Sequence, residues 1–359
     1  MSDTPPEQRE KQTWSAWFNL IMLVVGGIAL AWLLRETEWH ELQDTIVGIG
    51  PWAALILGIE LASLLCDAGA LHAFMRPEAR MVSYARVLGA QASGRAINVL
   101  TPLGALGEAT KVTMLAGHAP RARVLSSLVL LNAAKLYLEV SVMLIGIPIT
   151  LLLVDLPDAI TLMVGIGVAV LVPAVIAVGV MIHRGAIASL VGLLRRFRII
   201  GAERAKSWKE KLTEVDKHIR ELHKHRTAGT RIGLMFILIS KILSVSSTIL
   251  IMIALGIELK ASLVVGVMSV GVLVQWVSSV VPLGLGLADG GNYALYSMLG
   301  ASGDHGMYFT MIWRARTVFI AVLGLGAMAV LNALAKYGQF RIGRKLRDMK
   351  AEREEAAPS

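Results

Sequence analysis

The sequence is poor in cysteine and in charged residues. Its 359 residues include one cysteine, Cys66, which has no partner for an internal disulfide or for a cysteine metal cluster. Only 17% of the residues are charged, whereas soluble domains average about 25%. The glycine-rich run GLGLADGG at 284–291 is not followed by the lysine and hydroxyl residue of a phosphate-binding loop. The single cysteine argues against redox chemistry and structural zinc, and the missing phosphate-binding motif argues against nucleotide binding. We therefore expect neither a metal nor a cofactor.

Apolar residues are abundant instead, at 55% of the chain, and they are grouped into long runs. Each run can supply the roughly 20 residues that a helix needs to cross the hydrocarbon of a bilayer. The first run is not a signal peptide, because Arg35 and Glu36 follow it where a small-residue cleavage site belongs. The runs predict an all-α, multi-pass protein of the cell inner membrane. They are Phe18 to Leu34, Trp52 to Phe74, Val124 to Val154, Ile160 to Ile182, Ile232 to Ile257 and Tyr308 to Leu334.

The net charge of +9 is concentrated in two stretches, from Arg184 to Arg231 and from Lys336 to Arg353. Both stretches flank apolar runs, as the bias of basic residues towards the cytoplasm predicts. The sequence therefore favours orientation and contact with anionic lipid head groups over nucleic-acid binding, and it places both termini in the cytoplasm. Within the first stretch, apolar residues recur at spacings of three and four, which predicts an amphipathic helix. These residues are Trp208, Leu212, Val215, Ile219 and Leu222.

Two further segments, 82–117 and 262–300, do not fit as simple spans. Arginines near both ends of the first segment, Arg86 and Arg121, favour the same side of the membrane. A single crossing by the second segment would carry the basic C-terminal tail to the outside. We therefore predict that each segment is a re-entrant helical hairpin, so that the protein has six full spans plus two hairpins.

The two hairpins resemble each other in sequence. The first contains NVLTPLGALGEAT and the second SSVVPLGLGLADGG, so that Pro102 aligns with Pro282 and Gly104 with Gly284. Because the first would enter from inside and the second from outside, the pattern predicts an inverted repeat of the kind found in transporters. The chain is divided accordingly into a polar tail (1–14), a first membrane half (15–182), a basic cytoplasmic loop (183–230), a second membrane half (231–335) and a basic cytoplasmic tail (336–359).

Proline and glycine residues explain how each hairpin turns. Proline removes a backbone donor, and glycine permits turns and close packing. A new helix would begin after each break, and its unpaired N–H groups favour an anion such as a phosphate. The predicted structural breaks are Pro102, Gly104, Gly107, Pro282, Gly284 and Gly286.

Eleven charged residues fall within the predicted membrane segments, where each is costly unless paired or functional. We expect them to face a polar interior. Other roles are open for some of them. Glu108 and Asp289 would suit helix capping, ligand binding or proton coupling, and Arg95 and Lys111 would reach the membrane interface. Lys135 and Glu139, four residues apart, would neutralise each other on one helix face. The eleven are Glu60, Asp67, Arg95, Glu108, Lys111, Lys135, Glu139, Lys241, Asp289, Arg314 and Arg316.

The order of these motifs resembles a known family. An arginine and an asparagine lead into P-x-G-x-x-G-E, and the second half has P-x-G-x-G, an acid and an arginine in the last span. This pattern is similar to the flippase-like family that includes the transmembrane region of lysylphosphatidylglycerol synthases and a hopanoid-associated membrane protein. The resemblance covers residues 15 to 335. With the embedded charges, it marks these candidate substrate-binding residues: Arg95, Asn98, Glu108, Lys111, Asp289, Asn292 and Arg314.

The resemblance implies a flippase or transporter of an amphipathic lipid, anionic or polyprenoid, rather than an enzyme. The polar residues after the last span are too few for an aminoacyl-transferase domain, so lipid aminoacylation is not expected. An ion- or proton-coupled carrier of a small solute, and a non-catalytic scaffold of a lipid-synthesis complex, remain alternatives. The expected partners are the lipid substrate and anionic head groups; a homo-oligomer or a lipid-biosynthesis partner stays open.

Overall fold

The computed structural model describes residues 17–31, 47–76, 82–101, 106–116, 118–154, 228–281 and 284–355, with isolated positions between 162 and 176 and backbone alone beyond 334. Within these residues the chain is helical and contains no strand. The helices are α1 (Trp17–Ala31), α2 (Pro51–Phe74), α3 (Tyr84–Leu100), α4 (Leu106–Leu115), α5 (Arg121–Leu153), α6 (Ala228–Ala254), α7 (Ala261–Ser278), α8 (Leu287–Met298) and α9 (Gly303–Glu355).

Five of the described helices are long and apolar enough to cross a membrane: α2, α5, α6, α7 and the part of α9 up to Leu334. The prediction of an all-helical, multi-pass membrane protein is therefore confirmed. α1 is apolar but shorter, and most of the predicted span at 160–182 lies outside the described residues, as does most of the basic loop 183–230. α9 continues as one helix across the predicted boundary at residue 335.

The first arms of the two predicted hairpins differ. α7 has 18 residues, has no charged side chain and is one of the five candidate spans. α3 has 17 residues and includes Arg86 and Arg95. At a rise of about 1.5 Å per residue, both arms are roughly 25 Å long, somewhat less than the hydrocarbon thickness of about 30 Å.

The helices follow the same order twice: a long helix, two short helices and a long helix. α2 to α5 form the first set and α6 to α9 the second. The contacts between the sets are reciprocal, because α3 packs on α9 while α7 packs on α5, and α2 packs on α6. Each hairpin therefore lies against the last helix of the other set, and residues from both sets meet at the centre of the molecule.

Two glycines allow the arms of the first hairpin to approach closely. A Cβ atom on Gly107 would lie 2.0 Å from the carbonyl oxygen of Gly94 and 2.2 Å from Oδ1 of Asn98. Asn98 Oδ1 instead accepts a hydrogen bond of 2.7 Å from the Gly107 N–H. In the second hairpin, Gly284 and Gly286 have backbone φ angles of 64° and 75°, which residues other than glycine rarely adopt.

Replacing Gly107 with alanine is expected to lower the free energy of unfolding by about 1–3 kcal/mol, because backbone and Asn98 leave no room for a methyl group. Unfolding by SDS titration in mixed micelles measures the change. Gly58→Ala is the matched control, since nothing lies within 4 Å of a Cβ at that helical position. A control variant as unstable as Gly107→Ala would contradict the steric explanation.

Candidate functional site

A polar cavity of about 390 Å³ lies between the two sets of helices. Residues from α2 to α9 line it, and its charged lining consists of five basic and three acidic side chains. A cavity of this size is within the usual range for small-molecule sites. The charged lining residues are Asp67, Arg95, Glu108, Lys111, Lys135, Glu139, Lys241 and Arg316.

Glu60, which is 4% exposed, lies beside the cavity and holds two of its arginines. Its Oε1 contacts Nη2 of Arg95 on α3, and its Oε2 lies 3.3 Å from Nη1 of Arg316 on α9. Arg316 Nη1 also donates to Ser247 Oγ at 3.2 Å. The second terminal nitrogen of Arg95, Nη1, is buried and has no hydrogen-bond partner among the described residues. Glu60 thus joins α2 to one helix from each set while leaving a donor of Arg95 unused.

Asp67 forms a second buried centre two turns further along the same face of α2. Its Oδ2 lies 2.5 Å from Nζ of Lys135 on α5, and its Oδ1 accepts a hydrogen bond of 2.8 Å from Ser240 on α6. Ser63 Oγ lies 3.0 Å from Ser240 Oγ. Because the one hydroxyl proton of Ser240 is directed to Asp67, Ser63 donates to Ser240. Three helices therefore meet at one carboxylate.

The first hairpin brings Asn98, Glu108 and Lys111 together at the cavity wall. Glu108 Oε1 accepts from Lys111 Nζ at 2.7 Å and from Asn98 Nδ2 at 3.4 Å. Asn98 also accepts the Gly107 N–H, so one amide at the start of α4 already has a side-chain partner. Glu108 Oε2 is buried with no partner among the residues that the structure describes, and it remains available as an acceptor.

The second hairpin uses its acid for capping. Asp289 Oδ2 accepts the Gly286 N–H at 3.0 Å and lies 2.5 Å from Nη2 of Arg314. A carboxylate in the first turn of a helix satisfies unpaired amides and complements the helix dipole. Asn292, one turn later, donates to Thr310 Oγ1 at 2.8 Å and lines the cavity. Asp289 and Arg314 form a pair next to the cavity without lining it.

Lys241 on α6 and Glu139 on α5 also line the cavity. Neither makes a hydrogen bond or an ion pair with the described part of the chain. The other four basic side chains of the cavity, by contrast, each contact an acid. Among the described residues, Lys241 is therefore the lining cation that forms no ion pair.

A comparison with models of protein families gives the context for this cavity. The model of the lysylphosphatidylglycerol synthase transmembrane region matches residues 19–324. The chain belongs to this family. No curated protein and no solved structure matches the sequence. The resemblance in the sequence motifs is thus confirmed for most of the chain.

In this member of the lysylphosphatidylglycerol synthase transmembrane family, five of the seven candidate binding residues line the cavity. They are Arg95, Asn98, Glu108, Lys111 and Asn292. Among the six predicted breaks, Gly107, Gly284 and Gly286 lie at the turns or the close crossing described above. Pro102, Gly104 and Pro282 lie outside the described residues.

The sequence did not assign the other charged lining residues to the binding site, although it placed them within the membrane. With Glu139 included there are five such residues: Asp67, Lys135, Glu139, Lys241 and Arg316. The spacing of polar residues on α6 indicates which face of that helix lines the cavity. Ser240, Ser244 and Thr248 recur every four residues, and all three line it. Lys135 contacts Asp67 on α2 and not Glu139 on its own helix, so the expected neutralisation along one helix face does not occur.

Proposed function

We propose that the protein moves an amphipathic lipid with an anionic head between the leaflets of the inner membrane, as a transporter and not as an enzyme. The observation that carries this proposal is the cavity between the two helix sets, with five basic and three acidic lining residues. A polar cavity inside a membrane protein offers a path for a head group that the hydrocarbon would otherwise exclude. Membership of the family supports a membrane role but does not name the lipid.

Two groups are suited to hold the anionic head. Lys241 has no acidic partner among the described residues, and Arg95 Nη1 is a buried donor without an acceptor. A guanidinium and an ammonium that converge on one space recognise phosphate oxygens through charge-assisted hydrogen bonds. The volume of about 390 Å³ suits a polar head better than an entire lipid.

The reciprocal packing of α3 on α9 and of α7 on α5 supports a pseudo-symmetric mechanism. In the proposal, the two sets are inverted repeats, each with a re-entrant hairpin, and both termini are cytoplasmic. Rocking of one set against the other would open the cavity to each leaflet in turn. The basic loop and tail would contact anionic head groups on the cytoplasmic face.

The proposal is tested with purified protein in proteoliposomes and head-labelled fluorescent lipids whose leaflet is resolved by chemical quenching. Labelled phosphatidylglycerol should change leaflets faster than in protein-free vesicles, and labelled phosphatidylcholine should not. Equal rates for both lipids would indicate a non-selective lipid path. A wild-type protein that moves no anionic lipid from a panel including polyprenyl phosphates would contradict the proposal.

Lys241→Gln is expected to weaken the apparent affinity for phosphatidylglycerol about tenfold, because one charge-assisted hydrogen bond of about 1.5 kcal/mol is lost. The free energy of unfolding should change little, since Lys241 has no partner among the described residues. Affinity is measured from the dependence of the translocation rate on the lipid fraction. Lys260→Gln, at a site where the side chain is 55% exposed, is the matched control. Equal affinities in both variants would remove Lys241 from the site.

A further inference from the structure

An apolar groove of about 640 Å³ runs between α4 and α5, with Phe18 of α1 at its edge. The groove has almost no polar surface apart from three side chains, Glu108, Thr113 and Asn132. Thr113 is already engaged, because its Oγ1 lies 2.6 Å from Asn19 Oδ1 on α1 and 2.9 Å from the Thr110 carbonyl oxygen, and these two acceptors share its one proton. The remaining lining residues are Ala109, Val112, Leu125, Leu128, Val129, Ala133 and Leu136.

The groove adjoins the central cavity. Glu108 on α4 and Asn132 on α5 line both spaces, so the junction is formed by one polar residue on each wall. α4 packs mainly on α3 and much less on α5, which leaves the two walls apart. The polar cavity and the apolar groove therefore meet at Glu108 and Asn132, between α4 and α5.

We propose that this groove holds a hydrocarbon chain of the same lipid whose head occupies the central cavity. The inference rests on the proposed function, and it adds where the lipid enters and how it is oriented. The boundary between head and chain would lie at Glu108 and Asn132. The buried Glu108 Oε2, which has no partner in the described part of the chain, would accept a hydrogen bond from a hydroxyl of the lipid head, such as one on the terminal glycerol of phosphatidylglycerol.

A hydrocarbon chain fits the observations better than a partner helix does. A helix packed along the groove would cover its apolar walls, but its interior N–H groups are paired within the helix, so it would need a suitably placed side chain to reach Glu108 Oε2. A lipid has its polar and apolar parts joined end to end, as the cavity and the groove are. The head would enter the cavity sideways while the chain stayed in an apolar environment, so that the chain would not have to be exposed to water.

The test fills the groove from each wall in turn with Ala109→Trp on α4 and Val129→Trp on α5. Ala109 is exposed in the groove and Val129 is partly buried, so neither change inserts an indole into the packed core. Val330→Trp, at a position on α9 that is 58% exposed and outside the groove, is the matched control. Three quantities are measured: translocation of labelled phosphatidylglycerol in proteoliposomes, binding of glycerol 3-phosphate, which has no chain, to the purified protein, and the molecular mass of the purified protein.

Both groove variants are expected to translocate the lipid about tenfold more slowly while binding glycerol 3-phosphate as the wild type does. The indole would exclude the hydrocarbon chain from the groove but would leave the head site in the cavity open. The control should match the wild type in all three measurements. Wild-type translocation by both groove variants would overturn the inference, as would a parallel loss of glycerol 3-phosphate binding. A changed molecular mass with unchanged translocation would also overturn it and assign the groove to a second copy of the chain. If the proposed function itself is wrong, the wild-type protein will move no anionic lipid, and the inference is then wrong as well. This outcome differs from the ones above, in which the wild type translocates the lipid.

Discussion

Replacing Asp67 with asparagine is expected to lower the free energy of unfolding by about 3–5 kcal/mol, the usual cost of breaking one side of a buried ion pair. Asp67 is 3% exposed and lies 2.5 Å from Nζ of Lys135. Asparagine keeps the size and the hydrogen bond from Ser240, so the change isolates the charge. The Lys135 ammonium would then remain in the membrane interior without its counterion. SDS titration in mixed micelles measures the loss.

The double variant Asp67→Asn with Lys135→Met is expected to regain most of that stability, because no unpaired charge remains. Glu258→Gln is the control for an ion pair at the surface: Glu258 and Lys260 are 3.4 Å apart with 81% and 55% of their side chains exposed. Its loss should cost less than about 1 kcal/mol. A single Asp67 variant as stable as the Glu258 variant, or a double variant no better than the single one, would show that the pair does not hold α2 to α5.

The sequence was sufficient to predict a helical membrane protein whose embedded charges face inward. Glu60 and Asp67 are seven residues apart on one apolar helix, and a helix places such residues on one face. Both are buried in the structure and both contact bases on other helices. What spacing did not show is which bases they contact. Lys135 has Glu139 four residues away on its own helix, yet α2 brings Asp67 closer.

The capping of the short helices α4 and α8 was also only partly predictable from the sequence. The positions of Gly107 and Gly286 at helix starts followed from the glycine and proline pattern. The sequence also suggested that their free amides would bind an anion. In the structure the Gly107 N–H is donated to Asn98, from the opposite arm of the hairpin, and the Gly286 N–H is donated to Asp289. The spacing of Asp289 and Gly286 within one helical turn lets the sequence predict that cap. The cap from Asn98 depends on how the two arms of the first hairpin cross, which the sequence does not show.

The second hairpin lines the cavity with apolar and neutral polar side chains, and none of its charged residues is among the lining residues. Asp289 of the second hairpin and Arg314 of the last span were both candidate ligands. Their side chains pair with each other, at 2.5 Å, and only Asn292 from that group lines the cavity. Conversely, Lys241 and Arg316 reach the cavity from long helices, where the position of a base in an apolar run does not indicate which way its side chain faces.

Glu60→Gln is expected to bind phosphatidylglycerol about tenfold more tightly and to translocate it at least about tenfold more slowly. Glu60 occupies one guanidinium nitrogen on each of Arg95 and Arg316, which belong to different helix sets. Without its charge, both arginines would be free to hold the same anionic head. Transport requires a site that binds well enough to admit the substrate and weakly enough to release it. A lipid clamped by two arginines would leave slowly.

The same variant should be less stable without lipid, because two cations face each other with no acid between them, and should gain more stability than the wild type when lipid is added. Melting curves with and without phosphatidylglycerol measure both effects. Adding Arg316→Gln to Glu60→Gln removes the second cation and should return affinity and rate towards the wild type. If the Glu60 variant binds the lipid more weakly than the wild type, Glu60 does not compete with the lipid head, and its contacts with Arg95 and Arg316 only join α2 to α3 and α9.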